Sequence, residues 1–230
     1  MTFTHLPDYQ LEPSQHQAIA ALLQWCFPQY PPGRTYFRQL PHFRILAHDE
    51  SGQLCGHIAV EHRMVNNAGQ LYRIFGLADV CVQPSMQSKG LGARMLDFLE
   101  QLAHTSSVDA LLLIAHDPEF YAKNDFLAVE NDCKWLFVQS DQTLGVLNRH
   151  LKGLMVKMLK GQSWRDGQLD LLGHIFLHYL YDSGMPVLYE EAYSGIEEEA
   201  RRVRSLQELH HPSSRRSRIY DQTTQDGYLG

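Results

Sequence analysis

One short segment combines residue types that suit the binding of an anion by the polypeptide backbone. It consists of Gln87, Ser88, Lys89, Gly90, Leu91, Gly92 and Ala93. Its glycines permit close approach of a ligand to the main chain, and N–H groups at the start of a helix face one concavity with a favourable positive potential. The segment therefore predicts a loop that binds phosphate.

Two familiar phosphate-binding motifs do not fit these residues. A P-loop requires G-x-x-x-x-G-K-[ST], which the chain does not contain. A dinucleotide-binding fingerprint needs a third glycine and follows the first strand of its fold, whereas this loop follows the third predicted strand. The pattern is instead Q-x-x-G-x-G/A, between a strand that Pro84 ends and an amphipathic helix.

The elements that position the loop alternate between strands and helices. Apolar spacing predicts a capped helix over residues 14–25, a hairpin of strands 43–47 and 54–64, a third strand over 71–82, a helix from Gly90, a buried strand over 110–115, a short helix over 118–123, and strands near Ala128 and over 135–138. The strand, crossover helix and strand around the loop require a parallel pair. The fold class is therefore α/β or α+β.

The character of the sequence changes beyond Gln139. Leucine and methionine residues recur there at helical spacing, namely Leu144, Leu147, Leu151, Leu154, Met155 and Met158. We therefore expect a catalytic domain over residues 1–139, a helical extension over 140–210 and a loose tail over 211–230. The apolar stretch 168–181 is too short to span lipid, so we expect it to pack against the first domain or a second chain, and a homodimer through these helices is one expectation.

Composition and charge limit the classes of protein to which the chain can belong. The 230 residues are 44% hydrophobic and 20% charged, as in a folded globular protein, and the formal net charge of -6 argues against a nucleic-acid binder. The sequence shows no membrane span and no signal peptide, so we expect a cytoplasmic protein with no membrane partner. The four cysteines form no C-x-x-C pair, which predicts reduced, mostly buried thiols.

Two motifs in order resemble those of the GNAT superfamily of N-acetyltransferases. The first is the loop described above, preceded by a strand ending in Val82-Gln83-Pro84; the second is the segment from Phe120 to Phe126, which resembles F-Y-x-K-x-G-F with Asp125 at the glycine position. The resemblance covers about residues 3–138. It implies a mixed, mostly antiparallel sheet with a parallel splayed pair flanked by helices.

This resemblance also implies an activity and a co-substrate. The expected reaction is transfer of an acetyl group from acetyl-CoA to a primary amine of a small molecule or protein, by direct attack in a ternary complex and without a metal. In the family, pantetheine pairs with the backbone of the loop strand, a role that falls here on Val80, Cys81 and Val82. Tyr121 matches the family tyrosine near the thioester sulfur, which can act as general acid.

The general base is left open by the sequence. Asp79 lies on the loop strand, and Glu61 and His57 share one face of the preceding strand while His62 points to the other face. A histidine is a natural base near neutral pH, and a carboxylate reached through water would serve as well. His116, at the end of the strand 110–115, is a further candidate, although a structural role is favoured for it.

Other interpretations also remain open. Asp170, His174 and His178 would form a ridge on one helix face, which a metal site could use, but a structural role is favoured because no fourth ligand is evident. The spacings Gly76-Leu77, Gly90-Leu91-Gly92 and Trp164-x-x-Gly167-x-x-Asp170-x-x-Gly173 loosely resemble rhizobial nodulation N-acyltransferases, which take long acyl chains from acyl carrier protein. A non-catalytic module that binds acyl-CoA is the alternative from a different class.

Overall fold

Strands dominate the architecture, and helices flank them. The computed structural model describes residues 1–28, 30–36, 39–139 and 142–175. Its strands are β1 (Thr2–Pro7), β2 (Phe43–His48), β3 (Leu54–Asn67), β4 (Gln70–Val82), β5 (Ala110–Ile114), β6 (Leu127–Ala128), β7 (Asp132–Gln139), β8 (Gln142–His150), β9 (Leu154–Met158) and β10 (Leu169–His174). Its helices are α1 (Pro13–Cys26), α2 (Leu91–Thr105) and α3 (Pro118–Ala122).

Within the described residues, these strands form one mixed sheet. The order is β6-β9-β5-β4-β3-β10-β7-β8, and β2 pairs with β3 on one side and with β1 on the other. The pairs β4–β5 and β7–β10 are parallel, and the other paired strands are antiparallel. The expected mixed, mostly antiparallel sheet with a parallel pair beside the loop is confirmed.

The hairpin of β3 and β4 is the centre of the sheet. A two-residue turn connects its strands, and Ala68 and Gly69 both have positive φ angles, 49° and 84°, as a type I′ turn requires. Asn66 supports the turn, because its Oδ1 accepts a hydrogen bond from the Gly69 N–H at 2.9 Å. The turn fixes the register that runs from Asn67 opposite Gln70 to Ala59 opposite Ala78.

Helices α1 and α2 cover opposite faces of the sheet. Ile19 of α1 packs in a cluster with Leu46, whereas Met95 of α2 packs in another with Ile45. Neighbouring residues of a strand point to opposite faces, so the two helices lie on either side of β2. α1 begins with a reciprocal cap, in which the Glu12 side chain accepts from the backbone at Gln15 and the Gln15 side chain accepts from the Glu12 N–H.

Strands β4 and β5 pair over only part of their length. Their parallel register joins Ile74–Gly76 of β4 to Ala110–Leu112 of β5. Beyond Gly76, β4 continues to Val82 alongside β3, while β5 continues to Ile114 alongside β9. The carboxyl halves of these two strands therefore diverge, and the loop that follows β4 lies at the open end.

The prediction of helices from residue 140 is wrong for residues 142–174, which form β8, β9 and β10. The error has a physical cause. Strand β9 lies between β5 and β6 with both faces buried: Met155 packs in the cluster beneath α2, and Leu154 and Val156 pack in the cluster on the other face. Apart from Lys157, β9 is apolar throughout, and a short apolar run of this kind cannot be distinguished from part of a buried helix by periodicity.

Other differences between sequence and structure are smaller. β1 was not predicted, and α1 begins at Pro13 with Glu12 as its cap. The sheet extends beyond Gln139, so the predicted domain boundary at that residue does not separate its earlier strands from β8, β9 and β10. Residues 176–210 of the predicted extension, and the tail 211–230, lie outside the described residues. None of the described helices has the length and apolar character to cross a bilayer.

Candidate functional site

The loop after β4 enters helix α2 through two residues with positive φ angles. A single helical turn, Pro84–Met86, precedes it, and Ser88 and Gly90 have φ angles of 58° and 75°. The Arg94 N–H bonds to the Gly90 carbonyl at 3.1 Å as the first hydrogen bond of α2. The N–H groups that precede Arg94 in the first turn therefore have no partner within the helix.

The side chains of the loop stabilise the loop itself. Gln87 donates through Nε2 to the Val82 carbonyl at 3.1 Å, and Lys89 donates through Nζ to the Ser85 carbonyl at 2.9 Å. Both side chains are exposed. The loop thus presents its backbone and the Lys89 ammonium on the surface, an arrangement that suits a phosphate group.

Two glycines of the loop have different roles. At Gly90 the space beside the α-carbon is open, and the positive φ explains the choice of residue. At Gly92 a β-carbon would lie 2.9 Å from Cζ of Phe120, so the missing side chain permits α2 to approach α3. Both glycines are expected to permit close approach of a ligand to the main chain. Gly92 is required in addition for the packing of α2 against α3.

Near its C-terminal end, β4 contains a β-bulge that includes Val80, one of the residues predicted to pair with pantetheine. His57 stands opposite Cys81 and Ala59 stands opposite Ala78, so Asp79 and Val80 together oppose Ile58. Asp79 has a φ of 50°. A bulge of this kind bends the strand and redirects its peptide groups. Val80 and Val82 are partly exposed, and Cys81 is buried.

Asp79 lies at this bulge and is bound by a residue that the sequence analysis did not identify. The Tyr30 hydroxyl donates to Oδ2 of Asp79 at 3.2 Å. Burial raises the pKa of Asp79 to about 6, although the Tyr30 hydrogen bond and the Arg44 charge act in the opposite direction. A carboxylate with this pKa gains and loses a proton near neutral pH, as a general base must.

Glu61 lies on the same face of β3 as His57, and both of its carboxylate oxygens have partners. Its Oε2 accepts from Nη1 of Arg63 at 2.9 Å, and its Oε1 lies 3.0 Å from Nε2 of His174. Arg63 also donates to the carbonyls of His174 and Leu171. This group ties the end of β10 to β3. The structure therefore does not bring Glu61 together with Asp79 as a second base at the bulge.

The histidine candidates differ in their surroundings. His57 is fully buried between Arg44 and the Asp79 carbonyl, and burial followed by the Arg44 charge lowers its pKa to about 3. The His62 ring packs edge-on against Phe75 on the other face, as predicted, and burial lowers its pKa. His116 is exposed just after β5. Because both ring nitrogens of His57 are occupied, it is not available as a base.

Tyr121 lies on α3, between aromatic rings. Its ring makes edge contacts with Phe120 and Phe126, with centroids 5.0 and 5.7 Å apart. Burial raises the pKa of Tyr121 well above its usual value, and the nearby charges of Asp117 and Cys81 add to this effect. The phenol is therefore protonated at every working pH, and Tyr121 packs against the same apolar cluster as Val80 and Val82 of β4.

The turn after α3 explains the residue that departs from the family pattern. Asp125 has a φ of 65°, the left-handed conformation that glycine adopts readily and that Asp tolerates. The N–H groups of Asn124 and Phe126 both donate to the Tyr121 carbonyl, at 2.9 and 3.1 Å. Asp125 therefore performs the conformational role of the usual glycine.

The helical ridge of Asp170, His174 and His178, for which a structural role is favoured above, is not seen among the described residues. Asp170 and His174 lie on a strand, and His178 lies outside the described residues. Asp170 accepts a hydrogen bond from Nζ of Lys134 at 2.9 Å, while His174 is bound to Glu61. In the part of the chain that the structure describes, no three His, Cys, Asp or Glu side chains are grouped to hold a metal ion.

Comparison with known proteins gives one family. Residues 9–128, just over half of the 230-residue chain, match the family model described as an acetyltransferase (GNAT) domain. No curated protein matches the sequence.

Comparison with solved structures gives matches of low sequence identity. The structure of Tetrahymena GCN5 matches with a TM-score of 0.50 and 12% identity, over 72% of this chain and 100% of that chain. A GNAT family N-acetyltransferase from Escherichia coli in complex with CoA gives 0.49 and 16%, over 74% and 88%. A GNAT family acetyltransferase from Brucella melitensis in complex with acetyl-CoA gives 0.48 and 16%, over 73% and 94%.

Proposed function

Because this chain belongs to the GNAT acetyltransferase family, we propose that it transfers the acetyl group of acetyl-CoA to a primary amine by direct attack in a ternary complex. The observation that carries the proposal is the position of the loop at the open end of the diverging strands β4 and β5. A donor with a pyrophosphate and an extended pantetheine chain requires an anion-binding loop next to unpaired strand backbone.

The loop and the end of β4 supply the donor site in this proposal. The N–H groups of Ser88, Lys89, Gly90, Leu91, Gly92 and Ala93 bind the pyrophosphate, with a favourable contribution from the start of α2. The Gln87 N–H instead closes the turn before them, because it donates to the Pro84 carbonyl at 3.3 Å. The backbone of Val80, Cys81 and Val82 pairs with pantetheine in place of the strand that β4 lacks beyond Gly76. Because the main chain makes these contacts, the identity of the three side chains matters little.

Tyr121 is the proposed general acid. As the amine nitrogen attacks the acetyl carbonyl, the bond from carbon to sulfur breaks and the departing thiolate takes a proton. Burial keeps the Tyr121 phenol protonated, and its position on α3 is supported by two hydrogen bonds to its carbonyl. A phenol held beside a thiolate can donate its proton even though its pKa is high in the free enzyme.

Asp79 is the proposed general base, in preference to Glu61. The pKa of about 6 leaves the Asp79 carboxylate ionised at neutral pH and able to accept a proton from an ammonium group, directly or through water. Both Glu61 oxygens already have partners that connect β3 to β10. The Asp79 charge at the bulge and the net charge of -6 favour a cationic amine as acceptor.

The proposal is tested by donor binding and by turnover. Thermal unfolding is measured with acetyl-CoA, CoA, a longer acyl-CoA and acyl carrier protein, because a ligand at 100 times its Kd stabilises the folded state by about 2.7 kcal/mol. Release of free CoA thiol is then followed with a panel of cationic amines and peptides. We expect stabilisation by acetyl-CoA and CoA, and amine-dependent thiol release.

The outcomes separate the alternatives. Stabilisation by acyl carrier protein but not by acetyl-CoA would replace the proposed donor. Binding of acetyl-CoA with no release of thiol by any amine tested would favour a module that binds acyl-CoA without catalysis. Absence of binding by every CoA species would contradict the proposed donor site itself.

A further inference from the structure

A buried chain of polar groups runs through the sheet to the bulge of β4. Nε of Arg44 donates to Oδ1 of Asp8 at 2.8 Å, and Nη1 of Arg44 lies 2.9 Å from Nε2 of His57. On its other side, Nδ1 of His57 lies 3.0 Å from the carbonyl oxygen of Asp79. Arg44 and His57 are fully buried, with an exposed fraction of 0%. The side chains of Asp8, Arg44 and His57 have no part in the catalytic roles proposed above.

The chemistry of Arg44 determines the tautomer of His57. A guanidinium group can only donate hydrogen bonds, so Nε2 of His57 accepts from Arg44 and carries no proton. The neutral imidazole then has its single proton on Nδ1, which donates to the Asp79 carbonyl. Burial and the adjacent Arg44 charge lower the pKa of His57 to about 3, so the ring stays neutral under working conditions.

This hydrogen bond fixes the peptide group between Asp79 and Val80. None of the described peptide bonds is cis, and in a planar trans peptide the C=O and N–H point in opposite directions. Because the Asp79 carbonyl points to His57 on β3, the Val80 N–H points away from β3. The side of β4 away from β3 is the side on which β4 and β5 diverge.

The bulge makes such a support necessary. Asp79 and Val80 together oppose the single residue Ile58, and at a bulge the regular ladder of hydrogen bonds is locally disrupted. A side chain that holds the carbonyl from β3 replaces the lost ladder bond. It also prevents rotation of the peptide group, which would turn the Val80 N–H back towards β3.

We propose that His57 is a positioning residue that orients the Val80 N–H towards the acetyl carbonyl oxygen of the bound donor. Arg44, which is itself bound to Asp8, donates to Nε2 of His57 and so fixes the required tautomer. The inference rests on the proposed function, since it needs acetyl-CoA in the gap between β4 and β5. The Val80 N–H then polarises the thioester carbonyl and stabilises the oxyanion that forms when the amine attacks.

Two matched substitutions each keep one of the two hydrogen bonds of His57 and remove the other. In His57→Asn the amide nitrogen takes the place of Nδ1 and still donates to the Asp79 carbonyl, but the contact with Arg44 is lost. In His57→Gln the amide oxygen reaches the place of Nε2 and still accepts from Arg44, but the donor to Asp79 is lost. A purely structural role of His57 would make the two variants similar in activity.

The most direct readout is the infrared band of acetyl-CoA carrying an isotope label at the acetyl carbonyl. A hydrogen bond to the carbonyl moves its stretch to lower wavenumber. We expect the full displacement in the wild type, most of it in His57→Asn and none in His57→Gln. With an active amine, kcat of His57→Gln should fall by up to about 10²-fold, the lower end of the effect of removing an oxyanion-hole donor, with little change in the Kd of CoA.

A measurement on the wild type covers the case in which a variant fails to fold. Nitrogen NMR of the histidine rings should show His57 protonated at Nδ1 and unprotonated at Nε2 throughout the range of pH in which the fold is stable. The Val80 amide resonance should move more with acetyl-CoA than with CoA, because only the former carries the carbonyl acceptor. A charged His57, or one protonated at Nε2, would overturn the inference.

The failure of this inference differs from the failure of the proposed function. If acetyl-CoA does not bind, the proposed function fails first. If it binds and reacts, but the carbonyl band is equally displaced in the wild type and in His57→Gln, the function stands and the role of His57 is wrong. An equal loss of the displacement in His57→Asn and His57→Gln also overturns it.

Discussion

The Tyr30 hydroxyl donates a hydrogen bond to Oδ2 of Asp79 at 3.2 Å, which joins the chain after α1 to the bulge of β4. The two residues are 49 positions apart in sequence. The bond favours the ionised carboxylate and so opposes the effect of burial on its pKa. It thereby adjusts the proton affinity of the proposed base near the donor strand.

This relationship predicts the pH dependence of the rate. Turnover should rise with pH along a limb of apparent pKa about 6, as Asp79 loses its proton. Tyr30→Phe removes a hydrogen bond that favours the charged form, so the pKa of Asp79 rises and the limb moves to higher pH. Tyr72→Phe is the matched control, since its hydroxyl donates to the Ser163 carbonyl. A limb that stays in place in Tyr30→Phe, or persists in Asp79→Asn, would reject Asp79 as base.

Glu61 is expected to act on stability instead. Glu61→Gln removes the negative charge between Arg63 and His174 and leaves the partly buried Arg63 guanidinium with a weaker partner. Loss of hydrogen bonds to a buried charged group lowers the free energy of unfolding by about 1–3 kcal/mol, which chemical denaturation measures. The exposed Glu50→Gln should change it little. If Glu61→Gln abolished the pH limb at unchanged stability, Glu61 would be the base and not Asp79.

Tyr121→Phe isolates the proposed proton donor. The substitution keeps the ring contacts with Phe120 and Phe126 and removes only the hydroxyl. Loss of a positioned acid typically lowers the rate by about 10²- to 10⁴-fold, so kcat should fall while the Kd of acetyl-CoA is unchanged. The rates are compared at saturating acetyl-CoA with one amine. Full kcat in Tyr121→Phe would assign the proton to water or to the attacking amine.

The sequence predicted the elements that its local patterns encode. The alternation within β4, the amphipathic spacing of α2 and the order of the two motifs predicted the loop and its parallel strands. The left-handed conformation of Asp125 was also accessible, because a known pattern has glycine at that position.

The partners of the site were not accessible in this way. Tyr30 and Asp79, or Arg44 and His57, meet only because β2, β3 and β4 pair and the chain after α1 folds over them. No local pattern records such a contact. Strand β9 was missed for a related reason, because its apolar sequence reflects burial on both faces by distant elements.

Binding of the donor by the loop at the start of α2 is the central requirement of the proposed activity. Calorimetric titration of acetyl-CoA into the wild type and Gly90→Val tests it directly. Gly69→Val is the matched control, because Gly69 also has a positive φ and open space beside its α-carbon, but it lies in the turn at the other end of β4. The two substitutions impose similar backbone strain. We predict tight binding by the wild type and Gly69→Val and no measurable binding by folded Gly90→Val, whereas equal affinity in all three proteins would contradict the assignment of the donor site.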